Sequence, residues 1–346
     1  MSKKTTLHPG ISLLALLMLT VLSASAQTTA WETVRLTGGS ASYSGGIIRS
    51  WTPTKAVVCY NDGTQDRFGI IDGANIPNMT QALVPAGYTI DDFRIVADEV
   101  YCCGRKNSDG FIGHFSLGDL ESMVSPLSFE EILIAHSTVA PLGTPPCIST
   151  TDYATVHRLV AYKNPHSGGI TVAAIGYAHN VVPYGVGTRT FATSYIVAAD
   201  HTPGIFTAEY ALCDYGSNLC DLGCEIESLT DIVETPDYVA FVGSVYQASA
   251  ECIRRADKYD IMGSLTSVPN YYVYPVSGAE PLSEVRATKL DGNRIATASL
   301  CMPTVEDFHT SLRVYDLTNM DMINAQIVRL PEKMEPSDMV YKEGSD

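Results

Sequence analysis

The chain has 346 residues, 45% of them hydrophobic and 17% charged, which is enough apolar content to bury a large core and too much for a disordered chain. Its 38 acidic residues outnumber 22 basic ones, for a formal net charge of −16. Such a surface repels phosphate backbones, which are bound by clustered Lys and Arg, so nucleic acid is not an expected partner.

Residues 1–26 read as a signal peptide and 27–346 as one β-propeller-like repeat domain. Lys3 and Lys4 precede an apolar run of 12 residues, Ile11 to Leu22, and Ala24-Ser25-Ala26 supplies the small residues that a signal peptidase cleaves after. The run is too short for a spanning helix, which needs about 20 residues, and no Cys follows closely enough for lipid attachment. No membrane anchor is expected, and the mature chain belongs in the periplasm, at the cell surface or in the medium. With Lys3 and Lys4 removed, 22 basic residues become 20 against 38 acidic ones, a net charge of −18.

In chain order, Trp31 to Leu36 alternates as Trp-Glu-Thr-Val-Arg-Leu, a lone strand suited to completing the last blade of a closed ring. A first repeat has Val57-Val58-Cys59-Tyr60 as its middle strand, an Asn61-Asp62-Gly63 hairpin signal and Phe68-Gly69-Ile70-Ile71 as its third strand. The second repeat, Asp92 to Phe115, reads as three short strands joined by tight turns, the later turn holding Asn107-Ser108-Asp109-Gly110. A third runs from Asp152 through Leu159 to Tyr162, a turn over 164–169 and a strand from Ile170 to Ile175. A fourth begins at Asp231, with Tyr238 to Val242 and Cys252-Ile253-Arg254. A looser fifth begins at Glu284, with Arg294 to Ala298 and Ser311 to Tyr315. Pro336 to Tyr341, around Asp338, opens a sixth. Ser128 to His136 and Asp316 to Gln326 alone look weakly helical, and the latter is read as the last strand of a repeat with its exit turn.

Laid without gaps, Asp92, Asp152 and Asp231 each open a strand, precede an apolar residue (Phe93, Tyr153, Ile232) and reach Val eight positions on (Val100, Val160, Val239). Openings at 50, 92, 152, 231, 284 and 338 lie 42, 60, 79, 53 and 54 residues apart, so the insertions belong in loops. The prediction is an all-β fold, a propeller-like array of about six antiparallel blades whose last blade lacks its middle strands.

The pairing of Asp92-Phe93-Arg94-Ile95-Val96 with Val100-Tyr101-Cys102-Cys103-Gly104 and Phe111-Ile112-Gly113-His114-Phe115 resembles repeats of secreted, mostly uncharacterised β-propeller-like proteins of Bacteroidetes. The export signal ending in Ala24-Ser25-Ala26-Gln27 is similar to theirs. The resemblance implies a fold and an exported setting and brings no catalytic residues. The Trp-Asp, kelch and Asp-box signatures of other propellers are missing.

Asp92, Asp152, Asp231, Glu284 and Asp338 form a recurring acidic position. At the mouth of a propeller channel these carboxylates would ring a cation or a basic group; alternatively each accepts backbone N–H groups at a turn. The second reading is preferred, because such bonds serve repeat packing with or without a ligand. Tyr272 and Tyr274 would share one face of an outer strand, where they pack the blade or stack on a sugar or protein partner. Cys213, Cys220 and Cys224 lie in one loop, and in an oxidising compartment a disulfide between two of them is expected. Cys102 and Cys103, adjacent in a strand, point to opposite faces.

None of the eight His has a ligand spacing, and there is no nucleophile elbow or phosphate loop. No catalytic residue, cofactor or metal is expected. The leading function is a non-catalytic, exported protein that binds a protein or glycan. The alternatives are a polysaccharide-active glycosidase or lyase, whose acids converge from different blades without a linear motif, and a structural piece of a surface assembly.

Overall fold

A computed structural model of the chain describes residues 44–73, 80–139, 150–184, 187–213, 227–245, 250–263, 265, 271–275, 282–304 and 307–329. The expected strand at Trp31 to Leu36, the sixth opening at Asp338, and Cys220 and Cys224 lie outside them.

Among the described residues, twenty strands form five four-stranded antiparallel sheets, each a meander in chain order. The first sheet is β1 (Ser44–Ser50), β2 (Lys55–Asn61), β3 (Asp66–Asp72) and β4 (Thr80–Leu83). The second is β5 (Tyr88–Val96), β6 (Glu99–Lys106), β7 (Asp109–Ser116) and β8 (Glu130–Ile134). The third is β9 (Thr150–Lys163), β10 (Ile170–Tyr184), β11 (Gly187–Thr202) and β12 (Ile205–Leu212). The fourth is β13 (Glu227–Glu234), β14 (Tyr238–Val245), β15 (Ala250–Asp257) and β16 (Tyr271–Pro275). The fifth is β17 (Leu282–Lys289), β18 (Arg294–Thr304), β19 (Asp307–Asp316) and β20 (Asp321–Arg329).

Turn chemistry explains why the hairpins close where they do. Between β5 and β6, Ala97 and Asp98 both take positive φ (52° and 64°), the backbone of a two-residue turn whose twist matches the strands. Between β2 and β3 the expected two-residue turn is instead four residues long. Asp62 Oδ1 accepts from the N–H groups of Thr64 (2.9 Å) and Gln65 (3.0 Å), and only Gly63 takes positive φ, 92°. That Asp side chain imitates a backbone turn, which removes the need for a second left-handed residue.

Alternation along the strands places the core between sheets. Val100 and Cys102 of β6 pack with Val57, Phe68 and Phe93 between the first and second sheets, while Tyr101 and Cys103 pack with Val156, Leu159 and Val197 between the second and third. The two adjacent Cys therefore face opposite sides, as their spacing predicts. Two further apolar clusters fill the spaces between the third and fourth sheets, around Ile196 and Phe241, and between the fourth and fifth, around Val242, Ile295 and Tyr315. The first strands of successive sheets touch in series, β1 with β5, β5 with β9, β9 with β13 and β13 with β17.

Two sequence expectations change. Ser128 to His136 holds strand β8, and the α-helix α1 (Leu117–Glu121) lies earlier, capped by Ser116 Oγ accepting from Gly118 N–H at 3.1 Å. In the third repeat, Asp152 to Tyr162 is one continuous strand, so the turn at 164–169 joins first and second strands rather than second and third.

Candidate functional site

Where the first strands meet, a device repeats. Register slips by one residue in β5 between Ile90 and Asp92, in β9 opposite Ile175 and Gly176, and in β13 between Leu229 and Asp231. Each slip is a β-bulge, and opposite it on the second strand stands Gly104, Gly176 or Gly243. A Cβ on Gly104 or Gly243 would overlap the carbonyl oxygen of Thr89 or Ser228, and one on Gly176 would meet the Tyr195 ring and the Thr155 carbonyl. Glycine is required there by close approach.

The bulge residues, Asp91, His157 and Thr230, reach the first strand of the following sheet. Asp91 Oδ2 accepts from the Thr155 hydroxyl at 2.7 Å, His157 meets the Leu229 backbone, and the Thr230 hydroxyl donates to the Val285 carbonyl at 2.7 Å. The next position carries the bridging acids. Asp92 Oδ1 accepts from its neighbour Phe93 N–H (2.8 Å), from Arg49 (2.8 Å) and from Arg94 (2.8 Å), while Oδ2 accepts from Leu159 N–H of β9 at 3.3 Å. Asp231 repeats the scheme, with Ile232 N–H at 2.9 Å and Ala287 N–H of β17 at 2.9 Å. Burial pushes the Asp231 carboxyl above its ordinary range, against the pull of those two N–H groups and of the Arg158 and Arg286 guanidiniums.

In sheets two to four the residue after the bulge is thus Asp92, Arg158 or Asp231, and in the fifth, whose register slips between Leu282 and Val285, Arg286 stands beside the N–H that Asp231 takes. Arg286 precedes the N–H taken by Asp231, just as Arg158 precedes the N–H taken by Asp92. Asp92 and Asp231 accept backbone N–H groups, as the preferred reading of the acidic position has it, and with the two arginines they form a belt of alternating sign rather than a ring of carboxylates. Asp152 does not belong to it: it sits near the start of β9, exposed, with His179 Nδ1 3.4 Å away. Glu284 lies within the irregular start of β17, and Asp338 lies outside the described residues. Tyr272 and Tyr274 are in β16, the outer strand, as read from the sequence; their side chains are not described. Of the disulfide expected between two of Cys213, Cys220 and Cys224, Cys213 takes no part, being a buried thiol like Cys59, Cys102, Cys103 and Cys252, and a Cys220–Cys224 bridge lies outside the described residues.

A second gathering of ionisable groups lies between sheets two and three. His114 of β7, Glu130 of β8 and His201 of β11 each offer one ligand atom, all within 4.8 Å of one another. His114 Nε2 is 3.2 Å from Glu130 Oε2, its Nδ1 is 3.4 Å from Glu99 Oε2, and His201 Nδ1 is 2.7 Å from the Tyr101 hydroxyl. The two imidazoles lie 3.9 Å apart between ring centres, with Phe206 edge-on to both. Burial, then the neighbouring His114, holds His201 below its ordinary value, and burial raises the Tyr101 phenol, which stays neutral. The sequence reading missed this group because its members lie on three strands of two sheets. The signal available was His114 and Glu130 opposite one another in the β7–β8 register.

A cavity of about 350 Å³ opens between sheets one and two, lined by Ile47, Cys59, Tyr60, Asn61, Asp66, Thr89, Ile90 and Asp91. Asp66 is engaged at both oxygens, by Asn61 Nδ2 (2.8 Å) and Ile90 N–H (2.6 Å). Burial raises the Asp91 carboxyl above its ordinary range, opposed by the Thr155 hydroxyl.

No protein-family model and no curated protein matches the chain. Among solved structures, one of a eukaryotic initiation factor is similar over 85% of this chain and 78% of its own, at 10% identity and a TM-score of 0.29. A tail fibre of a Staphylococcus aureus phage matches over 80% of this chain at 8% identity and a TM-score of 0.22. A prolyl endopeptidase matches over 85% at 8% identity and a TM-score of 0.24. The chain spans about half the length of the last two, 53% and 50%. TM-scores of this size carry no function across. No helix among the described residues is long and apolar enough to cross a membrane.

Proposed function

We propose that the five sheets are blades of a propeller-like array that is exported and binds a protein or glycan partner without chemistry of its own. The serial contact of first strands supports the array, and the signal-like residues 1–26 support export. The belt acids favour a scaffold role, since Asp92 and Asp231 each hold their own strand with one oxygen and reach the first strand of the next sheet with the other.

The observation that carries the binding role is the placement of exposed apolar side chains. Of the eight large hydrophobic side chains exposed among the described residues, five, Leu133 of β8, Ile205 and Tyr210 of β12, and Met322 and Ile323 of β20, lie on the fourth strands of their sheets, while Ile48, Met123 and Val124 do not. An outer strand with apolar side chains and an unpaired backbone edge suits a partner that packs on it or adds a strand. A glycan-array and protein-binding screen tests this. A ligand whose affinity falls at least about tenfold in Tyr210→Glu or Ile323→Glu supports it, since a hot-spot side chain contributes about 2 kcal/mol or more. Ligands indifferent to substitution on all three outer strands would refute it.

A second reading, an enzyme acting on polysaccharide, is favoured by the cavity holding Asp66 and Asp91, because two carboxyls in one cavity, with burial raising that of Asp91, are the kind of pair glycoside hydrolysis uses. Its test is polysaccharide cleavage abolished in Asp91→Asn, with the fold intact.

A further inference from the structure

We propose that His114, Glu130 and His201 bind a divalent transition-metal ion of the zinc type, with one coordination position left open. This goes beyond the binding reading above and stands without it.

Two imidazole nitrogens and one carboxylate oxygen form a donor set suited to zinc, and three protein ligands leave the fourth tetrahedral position to water or to a donor from outside. Ligand atoms around such an ion, held at about 2.0 Å, lie about 3.3 Å from one another. His114 Nε2 and Glu130 Oε2 already stand at 3.2 Å, and the whole set lies within 4.8 Å, so no pair of ligand atoms has more than about 1.5 Å to close.

An independent observation points the same way. His114 has a carboxylate at each ring nitrogen, Glu99 at Nδ1 and Glu130 at Nε2. A neutral imidazole owns one N–H, so one of those carboxylates faces a nitrogen lone pair, an arrangement that repels unless a cation lies between them. Placing the proton on Nδ1 toward Glu99 gives the carboxylate–histidine–metal pattern, in which an outer carboxylate fixes the tautomer and leaves Nε2 for the ion. At His201 the Tyr101 hydroxyl stands at Nδ1; accepting from Nδ1–H it leaves Nε2, which has no hydrogen-bond partner among the described residues, for the ion. Phe206 and the Tyr101 ring wall the site on its apolar side, and Glu130, with a side chain 47% exposed, marks the side that ligands enter.

The rival account of the same contacts is a doubly protonated His114 clamped between two carboxylates with no ion. Titration of chelator-stripped protein with zinc sulfate, followed by calorimetry, separates the two. The expected result is one ion per chain, an affinity at least tenfold weaker in both Glu130→Gln and His201→Asn, and a smaller loss in Glu99→Gln. Cobalt(II) substituted into the parent is expected to give the intense visible absorption of a tetrahedral site, absent in His201→Asn. If a His variant fails to fold, Glu130→Gln alone decides, because that side chain is on the surface. No zinc binding by the parent, or parent-like affinity in Glu130→Gln and His201→Asn, overturns the proposal. In the first case a His114 imidazole that stays doubly protonated at neutral pH, read by NMR, would establish the clamp instead.

Discussion

The belt of first strands and the His114–His201 group both collect charge between neighbouring sheets, yet they are built on opposite logic. In the belt every acid oxygen meets a donor: both oxygens of Asp92 and of Asp231 accept backbone N–H groups, and guanidiniums supply the compensating charge. Around His114, two carboxylates converge on one ring that cannot donate to both while neutral. A satisfied network specifies how sheets join. Two carboxylates on one imidazole are satisfied by a positive charge between them, which is where an ion would sit.

The largest expected effect therefore lies in the belt. Asp92→Ala leaves Arg49, Arg94 and the Leu159 N–H without their shared acceptor, and removing one partner of a buried pair costs about 3–5 kcal/mol. Urea unfolding measures it. Glu130→Gln without metal is expected to stay within about 0.5 kcal/mol of the parent, as surface changes do. Equal losses in the two variants would erase the distinction between a structural belt and a ligand site.

Acid provides the next largest effect. Burial and the nearby Arg158 hold His157 down at about 4, with Arg286 acting the same way and the Leu229 backbone and Asp92 opposing. Its Nδ1 is buried without a hydrogen-bond partner. Because the folded value lies below the ordinary 6.5, the unfolded chain binds the proton more tightly, so stability falls as pH drops from 6.5 toward 4. At about 1.4 kcal/mol per unit the full loss is about 3 kcal/mol. His157→Gln is expected to flatten that part of the stability-against-pH curve, measured by denaturation at intervals between pH 7 and 4. An unchanged slope would mean that His157 takes up its proton equally well in the folded and the unfolded chain.

These features differ in how far the sequence announces them. Strand periodicity and Asp-Gly or Asn-containing turns made the all-β architecture readable, and Val57 to Tyr60, Tyr238 to Val242 and Arg294 to Ala298 are strands where expected. The third repeat misled because its strands run to 14, 15 and 16 residues, so one long strand imitates two short ones with a spurious Asp at its head. The belt was half legible. Asp92 and Asp231 share a local pattern, but Arg158 follows the equivalent bulge with opposite charge and Arg286 flanks the N–H that Asp231 takes, and a search for a recurring residue type passes over both. The better marker was the glycine opposite each bulge, since close backbone approach permits nothing else at Gly104, Gly176 and Gly243. That claim has its own test. Gly104→Ala is expected to cost about 1–3 kcal/mol through overpacking, whereas Gly46→Ala, whose nearest contact would be the Cys59 carbonyl at 3.9 Å, is expected to fold as the parent does in the same thermal melts.

The smallest expected effect sharpens the comparison most, because it concerns the residue that looks most like a belt acid and is not one. Asp152 has the same following aromatic or aliphatic residue and the same Val eight positions on as Asp92. In the fold it lies six residues ahead of Arg158, the true occupant of the belt in its sheet, with a side chain 53% exposed and its carboxylate 3.4 Å from His179. An exposed pair of this kind contributes about 0–1 kcal/mol, and only while the imidazole is charged. Asp152→Ala and Asp152→Asn are therefore expected to melt within a degree or two of the parent at pH 7, with or without added calcium, while Arg158→Ala, which takes a positive charge from beside Asp231, is expected to melt several degrees lower. If Asp152→Ala instead matched Asp92→Ala, the gap-free alignment of the repeats would be the correct one, the bulge at His157 would not mark the belt, and the alternation of sign around it would fall with it.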